Sequence, residues 1–124
     1  GKDVPELQQE IILEKEIKSI TYNERYIGLV LKNEGKAGYE LCLYNTAGRK
    51  VMSEEFAGEY SELKIDRGQV LMYAGKKACI FTRTGIHRFE GEIKSNILEI
   101  FPISGLNKYI VMSENGMEVI RLAR

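Results

Sequence analysis

The one histidine of this chain, His87, is its best candidate for acid–base or metal chemistry. An imidazole serves as a general base beside a serine or cysteine, or ligates a metal. The sequence marks no partner for it. There is no G-x-S-x-G elbow. There is also no C-x-x-C, H-E-x-x-H or D-x-[DN]-x-[DN]-G spacing. His87 stands between Ile86 and Arg88 on an expected outer strand, so it reads as a solvated surface histidine. Glu54, Glu55, Glu59 and Glu62 gather around Gly58. Glycoside hydrolysis needs two carboxyls flanking a cleft, and spacing alone does not set that. Gly35-Lys36-Ala37-Gly38 lacks the Lys-Ser/Thr of a phosphate loop and falls in a hairpin. No catalytic, cofactor-binding or metal-ligating residue is assigned, no cofactor is expected, and the chain reads as non-enzymatic.

The tyrosines are numerous and tryptophan is missing. Tyr22, Tyr26, Tyr39, Tyr44, Tyr60, Tyr73 and Tyr109 fall mainly near expected strand ends. They read as packed rings whose hydroxyls reach water. The other reading is a ligand-binding rim or partner surface.

Lys+Arg and Asp+Glu both number 18, so bulk charge gives no nucleic-acid footprint. Gly75-Lys76-Lys77 reads as a solvated hairpin tip that discourages edge pairing. No apolar run approaches the ~18 residues that span a bilayer, and no signal-peptide pattern opens the chain. Gly1 reads as a remnant of proteolytic cleavage, so the natural protein is expected to begin further upstream.

The elements that must carry these residues are short strands. Apolar runs with strand chemistry alternate with turn residues. The expected strands are Tyr26–Leu31, Tyr39–Tyr44, Arg49–Ser53, Glu62–Ile65, Gln69–Tyr73, Ala78–Thr82, Ile86–Glu90, Leu98–Phe101, Lys108–Met112 and Met117–Leu122. Asn45-Thr46-Ala47-Gly48 and Asp66-Arg67-Gly68 are turns whose side chains cap the backbone. Asn115-Gly116 suits a type I′ hairpin. Residues 1–9 are expected to be a short helix or irregular lead, because Val4, Leu7 and Ile11 fall at helical spacing after Pro5. Strand is expected from Glu10, and Ile12–Ile17 reads as the outer strand of a preceding unit.

A faint repeat organises these strands. YELCLYNTAGRKV (Tyr39–Val51) superimposes on KKACIFTRTGIHR (Lys76–Arg88) at an offset of 37, placing Cys42 on Cys79, Leu43 on Ile80, Tyr44 on Phe81 and Gly48 on Gly85. A third copy, GMEVIRL (Gly116–Leu122), places Val119 on Ile80 at an offset of 39. Such a period marks stacked or radially repeated small sheets. Cys42 and Cys79 then sit in neighbouring sheets ~10 Å apart, too far for the ~7 Å limit of a disulfide. They read as two buried free thiols.

Each unit has up to four short strands, and the last lacks its fourth. The expected fold is a single all-β domain over residues 1–124, built of repeated antiparallel meanders. It most resembles two to three propeller-like blades, with a compact β-sandwich or barrel as the alternative. A closed propeller needs about four to eight blades. Too few are present, so the expected remedies are further blades of a longer chain, a second copy, or collapse into a sandwich.

LCLYNTAGRKV and ACIFTRTGIHRF resemble blades of quinoprotein-dehydrogenase-like and WD-repeat-like propellers, in which a strand ends in a Y-[ND]-x-x-G turn. The WD dipeptide and the quinoprotein tryptophan motif are missing, so a quinone cofactor is not implied. The whole resembles the C-terminal portion of a family of uncharacterised bacterial proteins. Asn107–Leu122, NKYIVMSENGMEVIRL, is the most similar stretch. In that family a membrane anchor precedes extracytoplasmic propeller-like repeats. The resemblance implies a cell-envelope location, with the cytoplasm as the alternative. The expected function is a binding or protein-interaction module. A ligand-binding sensory domain, or a structural part of a larger propeller, is the alternative. Its expected partner is a protein or the remaining blades of its own chain, with self-association open. Nucleic acid and membrane contact by this segment are not expected.

Overall fold

A computed structural model describes residues 3–105 and 107–122. Gly1, Leu106 and Arg124 lie outside the described residues. Eleven strands run β1 (Glu16–Tyr22), β2 (Tyr26–Lys32), β3 (Tyr39–Asn45), β4 (Lys50–Phe56), β5 (Glu62–Asp66), β6 (Gln69–Ala74), β7 (Lys77–Thr82), β8 (His87–Glu92), β9 (Glu99–Pro102), β10 (Lys108–Ser113) and β11 (Gly116–Arg121). They form three antiparallel meanders in sequence order: β1-β2-β3-β4, β5-β6-β7-β8 and β9-β10-β11. Consecutive strands pair because each connection is short and polar, the cheapest closure for an antiparallel neighbour.

The sheets stack face to face in chain order. Leu41, Leu43 and Phe56 of the first sheet meet Val70, Met72 and Phe81 of the second. The other face of the second sheet, with Leu71, Tyr73 and Ile80, meets Ile100, Tyr109 and Val111 of the third. Alternation decides this. Along β7, Cys79 and Phe81 point to the first sheet and Ile80 to the third. A strand buried on both faces reads as a continuous apolar run. That is why VLMYA and ACIF run without a charged side chain, with Gln69, Lys77 and Thr82 kept to the strand ends.

The repeat register is kept in three dimensions. A bulge interrupts β3–β4 pairing between Leu43 and Tyr44, and another interrupts β7–β8 between Ile80 and Phe81. These are the positions that the offset of 37 equates. Asn45 caps its turn as expected, its Oδ1 accepting from the backbone N–H of Ala47 and Arg49, each at 3.0 Å. The type I′ geometry, however, falls elsewhere. Arg67 (φ 49°) and Gly68 (φ 73°) both adopt positive φ, whereas Asn115 does not. The β10–β11 turn is centred on Glu114 and Asn115, because Ser113 pairs directly with Gly116. That shift of one residue takes the glycine out of the turn's centre.

The start of the chain differs from its sequence reading. Residues 3–13 form neither helix nor strand, and β1 begins at Glu16, not Glu10. Val4 and Leu7 are 81% and 77% exposed, so the apolar stripe of a helix would have nothing to pack on. Ile12–Ile17 is not the outer strand of a preceding unit either. Ile17 belongs to β1, which pairs with β2. Leu13 instead covers Leu29, Leu31 and Cys42 on the outer face of the first sheet.

The lead is pinned by charge. The Lys15 ammonium donates to Asn33 Oδ1 at 3.0 Å and to Glu40 Oε1 at 2.9 Å. Glu40 also accepts from the Ser53 hydroxyl, and Lys50 lies 3.8 Å away. The Ser53 bond, with those of Lys15, holds the Glu40 carboxyl down at about 2, against an ordinary 4.5. Its side chain is only 14% exposed. A lowered carboxyl stabilises the fold fully above the unfolded value, and that contribution fades as pH falls through the folded one. Stability is therefore expected to drop between about pH 4.5 and 2. Glu40→Gln should remove about 1–2 kcal/mol at neutral pH, allowing for solvent screening. It should also flatten that acid limb in urea titrations at stepped pH.

Candidate functional site

Three features of the stack can do chemistry or recognition. The first is a cleft of about 390 Å³ where the first and second sheets diverge, bounded by the linker after β4. Tyr39, Phe56, Tyr60, Glu59, Glu62 and Lys18 line it. Tyr39 and Phe56 stack with centroids 5.6 Å apart, and Tyr60 tilts against Phe56 at 6.0 Å. The Tyr39 hydroxyl donates to Glu59 at 3.0 Å, which pushes its own ionisation upward. Burial pushes the Tyr60 hydroxyl up to about 12. Both phenols are therefore neutral donors at physiological pH. The cleft pairs an aromatic wall with two carboxylates and a lysine, within the volume range of small-molecule sites.

The second feature lies on the β7–β8 hairpin. Cys79 opposes Glu90 across the ladder, and His87 opposes Phe81. The imidazole stacks on the Phe81 ring at 4.6 Å and 16°. Its Nε2 lies 3.7 Å from Cys79 Sγ and 3.4 Å from Glu90 Oε1. Among the described residues this is the one group of three thiol, imidazole and carboxylate ligand atoms drawn together, all within 4.8 Å. Burial pushes the Cys79 thiol up to about 12 and the Cys42 thiol to about 11. Neither is a thiolate nucleophile on its own, and both are free. His87 is on an outer strand with a 43% exposed side chain, as its neighbours implied. Its two chemical contacts were not legible as a motif. The usable signal was the repeat, because a hairpin closing at Gly85 brings position 90 opposite position 79.

The third feature is the outer face of the third sheet. Phe101, Ile110, Met112, Met117 and Val119 share it, as their cross-strand pairing shows. Met117 and Val119 are 62% and 60% exposed. The remaining tyrosines mostly bond within the fold. Tyr73 donates to Glu99 at 2.9 Å, Tyr109 donates to Gln69, and Tyr26 accepts from Arg83 at 3.3 Å.

The family of unknown function DUF5711 matches residues 1–122. The chain belongs to that family. No curated protein matches it. The match spans the lead and all three sheets. No helix among the described residues is long and apolar enough to cross a membrane, which leaves strand-based crossing aside.

Proposed function

We propose that this DUF5711 member is a non-enzymatic interaction module of the cell envelope, whose three meanders are blades of a larger β-propeller. The occupant of its uncovered face is a further antiparallel sheet of the same protein. One observation carries this reading. Leu43, Ile80 and Val119 occupy the same place in the three repeat copies. Leu43 is wholly buried against the second sheet and Ile80 is 1% exposed against the third. Val119 points the same way and is 60% exposed. A position covered twice by the next sheet is left open once, on the last sheet of the stack.

Two further facts support it. The first strands of the first two sheets, β1 and β5, touch each other, as inner strands of neighbouring blades do. The third sheet ends at β11, and a groove of about 470 Å³ beside that edge is lined by Ile80, Phe89, Ile93 and Ile120. An open edge with an apolar groove fits an added strand. The envelope location rests on the family resemblance and is tested by cell fractionation.

Val119→Cys tests the uncovered face, because Cys42 and Cys79 are both buried and the introduced thiol would be the exposed one. In the full-length protein the introduced thiol is expected to be protected. In the 124-residue chain it is expected to label, with self-association at high concentration that Val119→Asp abolishes in light scattering. Rapid labelling in the full-length protein overturns the reading. Protection in both forms, with a dimer mass, assigns the face to a second copy instead.

The tyrosine-lined cleft favours a second reading, a small-ligand sensor site between the first two sheets. A compound with a cationic or hydroxylated head should shift the Tyr39 and Tyr60 ring resonances in NMR titrations. Screening that leaves both rings unmoved removes this reading.

A further inference from the structure

His87 uses one nitrogen for two contacts, and that detail decides its chemistry. In a nucleophilic triad the imidazole faces the nucleophile with one nitrogen and the orienting carboxylate with the other. Here Nε2 faces both Cys79 Sγ (3.7 Å) and Glu90 Oε1 (3.4 Å). The three ligand atoms therefore surround a common point. A tetrahedral zinc ion with bonds of about 2.3 Å to sulfur and 2.0–2.1 Å to nitrogen and oxygen sets its ligand atoms about 3.3–3.6 Å apart. The two separations from Nε2 match that frame, and the third, from Cys79 Sγ to the Glu90 carboxylate, lies within 4.8 Å.

We propose that Cys79, His87 and Glu90 bind one divalent cation of the zinc type, with three protein ligands and a fourth position open to solvent. Thiolate and imidazole together select a borderline-soft metal over calcium or magnesium. The His87 and Glu90 side chains are 43% and 39% exposed, so the ion has an entry path. Cys79 is buried and anchors the site in the core between the first two sheets. Stacking on Phe81 fixes the plane of the imidazole. The Tyr60 ring packs against the core cluster that holds Cys79.

The other repeat copy supplies an independent comparison. The offset of 37 places Lys50 where His87 stands and Ser53 where Glu90 stands, while the cysteine is kept as Cys42. In that copy Ser53 bonds the Glu40 carboxylate, and the ammoniums of Lys15 and Lys50 lie 2.9 Å and 3.8 Å from it. The first sheet thus brings its own cations to the place beside its cysteine. The second sheet puts a set of metal-ligand atoms there. On binding, the Cys79 thiol loses its proton to solvent and the sulfur–metal bond forms, with no change of oxidation state. Affinity should accordingly rise with pH.

Cobalt(II) titration of the metal-free chain reads the site directly. One equivalent should produce a thiolate-to-cobalt charge-transfer band and the intense visible bands of tetrahedral geometry, and excess zinc should erase both. Cys79→Ser should abolish the charge-transfer band, while Cys42→Ser should leave it. His87→Gln, on the surface, should keep the fold and weaken binding by about 100-fold or more, beyond the usual effect of an outer-shell partner. Zinc should raise the melting temperature of the wild type and not of His87→Gln. The proposal is overturned if the wild type gives no charge-transfer band. It is equally overturned if His87→Gln binds as the wild type does.

Discussion

Leu43→Ala is expected to destabilise the chain by about 2–5 kcal/mol, as large-to-small changes at packed sites do. Leu43 is wholly buried among the residues that join the first and second sheets. Neighbours held by two ladders cannot collapse onto the missing atoms, so a cavity remains. For a chain of this size the loss corresponds to a fall in melting temperature of roughly 10 °C or more. Ile80→Ala, its counterpart between the second and third sheets, should cost a similar amount. Val119→Ala, the third counterpart, should cost less than about 0.5 kcal/mol in the isolated chain, because its side chain leaves little apolar contact behind. Chemical denaturation of the three variants measures the series. A flat series would mean that the sheets do not stack as one cooperative unit.

Tyr109→Phe is expected to destabilise by about 1–3 kcal/mol, well beyond the loss of one average hydrogen bond. The Tyr109 hydroxyl donates to Gln69 Oε1 across the interface between the second and third sheets, and both residues are buried. Burial pushes the phenol's ionisation upward, so it remains a donor. Gln69 Nε2 is buried without a hydrogen-bond partner. Removing the hydroxyl therefore leaves the amide unsatisfied at both ends. Gln69→Met joined to Tyr109→Phe should recover most of the loss, because it removes the stranded polar atoms as well. A double-mutant cycle by urea denaturation decides the point. Strictly additive losses would show that the amide carries no such burden.

Both predictions concern the joints between sheets, which is where the sequence was least informative. Alternation and turn residues place the strands from Tyr26 onward to within a residue or two, except that β4 runs on past the expected Ser53 to Phe56, because those signals act over a few neighbours. Tyr39–Tyr44 was expected and Tyr39–Asn45 forms; Lys108–Met112 was expected and Lys108–Ser113 forms. Ile12–Ile17 misled because apolar ends around charged residues fit an outer strand and a covering lead equally. Only the presence of an apolar face beneath Leu13 separates the two. Likewise C-x7-H-x-x-E is no local motif. It becomes a ligand set only when antiparallel pairing brings Cys79 opposite Glu90 and a bulge turns His87 toward them.

By itself, then, the sequence determined an all-β chain of repeated meanders with two equivalent cysteines and a third unit of three strands. Those properties follow from side-chain period and turn chemistry, which are written residue by residue. The tertiary structure alone decided which sheet face is covered and where Nε2 of His87 points. It also decided that Leu43 and Ile80 are buried while Val119 is not. The three share one place in the repeat, and what differs is whether another sheet lies within van der Waals reach.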